Sequence, residues 1–207
     1  MARHRGPKAR SRPPGRWRAL LAGGLVLGVG ATATLAAWND AENASGTFGS
    51  SVFDTVSKNS TDTTFASHDQ SPATLAFAAT GMSPGALFTA GLDVRTTGAG
   101  DSPTAASTVG GTALLASAVP TGDTQLTGQL EYRAIVTTTA TSCAAVVHSG
   151  AYVAANAVPA GVQAALSANA GNTVRFCFEV RLKTTAPNTT QGRTGVITWS
   201  VTATSAS

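Results

Sequence analysis

The chain has 207 residues, of which 12% are charged, and a formal net charge of +4. Its basic excess lies at one end, because seven of the fourteen Lys and Arg residues fall within positions 1–18. The other seven stand against all ten acidic residues, so the net charge beyond position 37 is −3 (seven minus ten). This balance excludes nucleic-acid binding by general basicity.

Residues 1–37 have the three parts of an export signal. Residues 1–18 form a basic head, residues 19–37 form an uncharged apolar segment, and polar residues begin after Trp38. This order predicts a signal peptide that is cut between Ala37 and Trp38, so that residues 38–207 are secreted and the chain meets the membrane only through the signal. The apolar run is long enough for a retained membrane anchor to be the alternative. A general signal peptidase could instead cut at the "ATA" of residues 31–33.

Residues 38–207 carry the pattern of one all-β domain. Apolar and polar residues alternate in several short segments, which places one face of each predicted strand against a core. The clearest segments, in chain order, are residues 92–95, 130–136, 174–183 and 197–201. Turn signals rich in Gly, Pro, Asn and Asp separate them, and the one weak helical stripe lies at residues 158–168. We predict an antiparallel jelly roll or β-sandwich that follows an N-terminal signal helix.

Three stretches of the chain point to a known family. They are the junction "ATLAAWNDAENASGTFGSSVFD", the turn and strand "MSPGALFTAGLDVRTTG" at residues 82–98, and the closing "APNTTQGRTGVITWSVTATS" at residues 186–205. Together they resemble the TasA and camelysin group of Gram-positive secreted proteins, whose signal peptides are SipW-dependent. The resemblance implies a jelly-roll domain at the cell surface or in the biofilm matrix, with a dedicated signal peptidase as its partner during export.

The first functional interpretation is a non-enzymatic, secreted structural protein of the cell surface or extracellular matrix, acting as a fibre subunit. A monomeric surface-binding module on the same fold, such as an adhesin, is the alternative, and a metal-dependent peptidase is a third. In fibre-forming relatives the released N-terminal strand completes the sheet of the next subunit. Residues 38–56 are extended-chain formers that could pair with a sheet edge in this way, or fold back into their own sheet.

Cys143 and Cys177 are the only two cysteines. An even number in an oxidising compartment favours a disulfide, and two free thiols are the alternative. Because Cys177 alternates with Phe176 and Phe178, we expect the bridge on the polar face of its strand. There it would pin the segment around Cys143 across the sheet, outside the main core.

Residues 81–85 spell the G-x-S-x-G pattern of a nucleophile elbow. The elbow needs the backbone N–H after its serine for an oxyanion hole, and Pro84 has none. We therefore interpret these residues as a turn and predict no catalytic residue there.

The resemblance to camelysin, which carries a metallopeptidase label, implies that a zinc site is one alternative. His68, Asp69 and His148 could supply ligands, but their spacing does not suggest a site and no H-E-x-x-H pattern is present. Asp40 and Glu42 are interpreted as solvated charges rather than as a general acid and base. The sequence predicts no metal and no cofactor.

Overall fold

The computed structural model describes residues 49–71, 73–75, 77, 81–101, 105–139 and 141–206. Within these ranges the regular secondary structure consists almost entirely of strands, which loops and turns connect. The elements in chain order are β1 (Thr55–Asn59), β2 (Leu87–Thr96), β3 (Gly111–Gly122), the short helix α1 (Thr124–Thr127), β4 (Leu130–Thr138), β5 (Val153–Ala154), β6 (Gln163–Leu166), β7 (Val174–Leu182), a 3-10 turn (Asn188–Thr190) and β8 (Gly195–Ser205). The predicted all-β class is confirmed.

The strands form two antiparallel sheets around an apolar core. One sheet has five strands in the order β1-β2-β7-β4-β5, and the other has three in the order β6-β3-β8. Between them Tyr132 of β4 and Phe176 and Phe178 of β7 are fully buried. The ring of Trp199, from β8, lies 4.7 Å from that of Phe178, so the two sheets pack face to face as a sandwich.

β7 occupies the centre of the larger sheet, between β2 and β4. Its alternation decides its orientation, because Phe176 and Phe178 point into the core while Cys177 and Glu179 point the other way. In the register of the sheet, Gly91 of β2 stands directly opposite Cys177. The strands predicted in β2, β4, β7 and β8 are all present.

Two segments differ from what their patterns indicated. The sequence pattern does not reveal the twelve-residue strand β3, because a β-bulge between Leu115 and Ser117 interrupts its alternation of apolar and polar residues. The weak helical stripe at residues 158–168 gives no helix; β6 runs through it and pairs with β3. Pairing with a neighbouring strand overrides a weak local preference.

The predicted signal peptide and the Ala37–Trp38 cut site lie outside the described residues. The described end of segment 38–56 is paired within the chain. Val52 and Asp54 exchange hydrogen bonds with residues 107 and 108, and Thr55 begins β1 beside β2. This is one of the two arrangements that the sequence left open, and strand exchange stays a prediction. The described ranges contain no helix long and apolar enough to cross a membrane.

Candidate functional site

Cys143 and Cys177 form a disulfide, as predicted. Both residues are buried, yet neither belongs to the core cluster between the sheets. The bridge lies on the outer face, which is the face of the five-stranded sheet that points away from the three-stranded sheet. Gly91 lies beneath it, where an added Cβ would be only 2.8 Å from the Sγ of Cys143. The bridge thereby holds residues 141–152, the covering loop, against the outer face.

Three ion pairs stand on the outer face beside the disulfide. Asp93 accepts two hydrogen bonds from the guanidinium of Arg175, at 2.6 and 2.8 Å. Arg175 also donates to the carbonyl oxygen of Thr141 in the covering loop, at 3.1 Å. Each pair joins residues directly opposite each other on neighbouring strands: Asp93–Arg175, Arg133–Glu179 and Glu131–Arg181. Such cross-strand pairs of opposite charge stabilise a sheet and fix its register.

Of the three ion pairs, the one that contains Glu179 makes the most contacts with neighbouring side chains. The Oε1 of Glu179 accepts hydrogen bonds from Arg133, at 2.7 Å, and from the hydroxyl of Tyr152, while the Nδ1 of His148 lies 3.6 Å from the Oε2 of Glu179. Burial alone would raise the pKa of Glu179, but the hydrogen bonds from Tyr152 and Arg133 outweigh it and lower that pKa. The guanidinium of Arg181 stacks 3.6 Å from the ring of Tyr152. These contacts secure the covering loop.

The pKa of Tyr152 is shifted in the opposite direction to that of Glu179. Burial raises it, and the neighbouring carboxylate raises it further because a phenolate there would face a negative charge. His148 has no exposed side-chain surface, and its Nε2 has no hydrogen-bond partner among the described residues. His148 and Tyr152 both belong to the covering loop, and Glu179 belongs to β7. Their contacts therefore fasten the loop to the five-stranded sheet.

A cleft of about 1190 Å³ opens between the two sheets. Apolar side chains from both sheets line it, including Phe88, Leu92 and Trp199. Ser57 and His68 lie on its polar border, where the serine Oγ is 2.9 Å from the histidine Nδ1. The cleft is thus lined by polar and apolar groups in similar measure, with a hydrogen-bonded Ser–His pair on its border.

The three-stranded sheet differs from the larger one in charge. None of the residues in β3, β6 or β8 is Asp, Glu, Lys or Arg, whereas β1, β2, β4 and β7 all carry charged residues. Its exposed face is made mainly of Thr, Ser, Ala and Gln, with three exposed larger apolar side chains, Leu114, Val119 and Val196. Among the described residues β8 pairs only with β3, so the other side of this eleven-residue strand is an open edge.

The residues that were candidates for a nucleophile elbow or a zinc site do not come together in the structure. The Gly81–Gly85 stretch contains a turn, closed by a hydrogen bond from the N–H of Ala86 to the carbonyl oxygen of Ser83 at 3.0 Å. His68 lies at the cleft, and His148 lies on the outer face, so the five-stranded sheet stands between them. The described residues include no cluster of three or more His, Cys, Asp or Glu side chains that could hold a metal ion. Asp40 and Glu42 lie outside the described residues.

Comparison with known proteins gives no family assignment. No family model matches the chain, and neither a curated protein nor a solved structure matches it significantly. The resemblance to the TasA and camelysin group rests on the three sequence stretches alone and stays a prediction.

Sequence reasoning missed the network around Glu179. A signal for it was present, since "EYR" in β4 and "EVR" in β7 are both E-x-R segments. When two such segments pair antiparallel, each Glu faces an Arg of the other strand. That complementarity fixes the observed register of Glu131 with Arg181 and of Arg133 with Glu179.

Proposed function

We propose that this chain is a non-enzymatic structural protein of the cell surface or extracellular matrix, exported by its first 37 residues and able to assemble into fibres. The disulfide supports a location outside the reducing cytosol, where such bonds persist. The mature part, residues 38–207, is the assembling unit.

We further propose that its two sheets belong to a jelly roll. In an eight-stranded jelly roll, one sheet has the order 2-7-4-5 and the other has the order 6-3-8 with the first strand beside the eighth. The order β2-β7-β4-β5 and the order β6-β3-β8 fit this scheme. The difference is that β1 lies at the outer side of β2, which leaves the position beside β8 without a strand among the described residues.

The contrast between the two sheets carries the proposal of assembly. The larger sheet is closed on its outer face by the covering loop, three ion pairs and a disulfide. The smaller sheet is uncharged and ends in an open edge. Monomeric proteins avoid long uncharged edges, because unpaired N–H and C=O groups recruit strands from other molecules. An assembling protein uses the same feature to bind its own kind.

Fibre growth would use the N-terminal strand of residues 38–56. Its described end pairs with β2 and with residues 107 and 108, so exchange would place it on the same partners in the next subunit. Each subunit then gives one strand and receives one, which is a head-to-tail contact that extends without closing.

A monomeric surface-binding module is the second candidate, and the cleft favours it. A cleft of about 1190 Å³ lined by both polar and apolar groups is large enough for a small ligand or an extended peptide. In this case the open edge would have no role in assembly.

Expression of the full chain in a Gram-positive host tests the proposal. Export with cleavage predicts that protein in the medium starts with Trp38, as N-terminal sequencing would show. Assembly predicts filaments from that protein and none from a chain without residues 38–56, which should instead bind a peptide of those residues. A product that begins at Met1 in the membrane fraction would overturn the proposed export and cleavage. A secreted chain that stays monomeric would overturn the proposed assembly.

A further inference from the structure

The two sheets formed by the described residues have four edges, and three of these are protected. β1 carries Lys58, and its backbone is covered by hydrogen bonds in both directions between Ser57 and Ala66. β5 has two residues and β6 has four, too few to guide the pairing of another strand. β8 has eleven residues and carries neither charge nor proline, the usual devices that block an edge.

We propose that β8 pairs antiparallel with β8 of a second copy of this chain, joining the two three-stranded sheets into one sheet of six strands across a two-fold axis. This contact goes beyond the exchange of the N-terminal strand and uses a different edge. Two copies of one open edge form a closed, isologous pair, which is the commonest symmetry of protein dimers. A pair of eleven-residue strands forms about ten hydrogen bonds between chains, as many as a typical whole interface.

The sequence of β8 is complementary to itself in this arrangement. With full overlap Ser200, at the centre of the strand, faces Ser200 of the second copy. On the exposed side Thr198 then faces Thr202, and on the side of the core Trp199 faces Val201. Threonine pairs and aromatic pairs with β-branched residues are among the favourable cross-strand combinations, and no charges are opposed.

The main competitor for this edge is the N-terminal segment 38–48 of the same or another copy. Its sequence, "WNDAENASGTF", contains two Asn, two Ala, two acidic residues and one Gly, all of which are depleted in strands. β8, by contrast, contains Val, Ile, Thr and Trp. A second β8 is therefore the better strand to add.

Cysteine cross-linking of the full chain tests the contact. The described cysteines are both in the native disulfide, so Ser200→Cys introduces a single free thiol. Residues directly opposite on antiparallel strands have Cα atoms about 4.5–5.5 Å apart, which suits a disulfide. We expect Ser200→Cys to give a covalent dimer under mild oxidation. Gln163→Cys, at an exposed position of β6 on the other edge of the same sheet, is the matched control and should stay monomeric.

Light scattering of two lysine variants gives a second readout that needs no oxidation. Ser200→Lys should abolish the dimer, because two like charges would meet on the axis, and Gln163→Lys should leave it intact. A monomeric Ser200→Cys chain, or equal cross-linking of both cysteine variants, would overturn the proposal. So would a Ser200→Cys, Ala44→Cys chain that cross-links those two positions instead. Dimers are scored in medium and membrane fractions alike, so failed export or absent filaments would not hide them.

Discussion

Gly91 allows the disulfide to lie flat on the outer face. Its backbone does not require glycine by a left-handed φ, so the requirement is one of space. A Cβ at this position would be 2.8 Å from the Sγ of Cys143 and 3.3 Å from the Cδ of Arg175. Neither atom moves freely. The sulfur is held by the disulfide bond, and the Cδ carbon is attached to a guanidinium that is hydrogen-bonded to Asp93.

We expect Gly91→Ala to lower the free energy of unfolding by about 1–3 kcal/mol, the usual cost of overpacking a tight site. Urea denaturation followed by circular dichroism measures it. Gly49→Ala is the control, because nothing lies within 4 Å of its added Cβ. Equal stability of Gly91→Ala and the parent chain would show that the covering loop does not press on the sheet.

Glu179 should make stability depend on acidic pH. Its pKa in the folded chain is lower than the ordinary value of 4.5, so the unfolded chain binds a proton first as the pH falls. The stabilisation is present above about pH 4.5 and is lost as the pH falls through the lowered pKa.

The comparison of Glu179→Gln with the parent chain isolates this contribution, since the other carboxylates are common to both. Denaturation midpoints between about pH 3 and pH 7 should fall more steeply on acidification for the parent. Parallel curves would mean that Arg133 and Tyr152 do not hold the carboxylate in its charged form.

At the level of elements, the central strand was the easiest to predict and the small sheet the hardest. Val174–Leu182 alternates without interruption, so its two faces, and the polar side of Cys177, follow from period two alone. β3 has a bulge that shifts its alternation, and its partners β6 and β8 lie far away in sequence. Local pattern carries no information on such partners, which is why the open edge of β8 became visible only in the structure.

The pair of Asp93 and Arg175 joins β2 to β7 and also ties down the covering loop. Asp93 is 3% exposed, so removing Arg175 leaves a buried carboxylate without the two hydrogen bonds that this guanidinium donates. We expect Arg175→Met to reduce the free energy of unfolding by about 3 kcal/mol, the lower end for a broken buried ion pair. The double variant Asp93→Asn, Arg175→Met should lose less, because no lone charge remains.

A double-mutant cycle by chemical denaturation measures this coupling. Arg193→Met provides the surface control, since its pair with Asp123 is exposed and such pairs add little. If Arg175→Met lowered the free energy of unfolding by no more than Arg193→Met does, the ion pair of Asp93 and Arg175 would contribute no more to stability than an exposed pair.

The disulfide closes a loop with a sequence separation of 34 residues. Replacing both cysteines by alanine should lower the free energy of unfolding by about 3–4 kcal/mol in the chain-entropy account. Guanidinium denaturation with and without reductant measures it, and the reduced parent should approach the double alanine variant. If reductant left the free energy of unfolding of the parent unchanged while the double alanine variant was less stable, the loss would come from the packing of the two cysteine side chains rather than from the cross-link.

For the whole molecule, composition and charge located the basic end and the single cysteine pair, and the alternation of apolar and polar residues predicted the all-β class. The proposed assembly involves several copies of the chain and depends on which edges remain open after folding, so the sequence pattern of one chain does not predict it. Every charged residue of β2, β4 and β7 is in an ion pair within the chain, whereas β3, β6 and β8 have no charged residue. That difference between the two sheets is the observation that supports the proposed self-association.

Negative-stain electron microscopy of the chain recovered from the culture medium tests the central claim most directly. The account predicts filaments whose number rises with protein concentration, because the N-terminal strand of each molecule would pair with the sheet of the next. It also predicts that the chain lacking residues 38–56 forms none. Separate particles of single-chain size at every concentration would contradict the claim that this is a self-assembling structural protein.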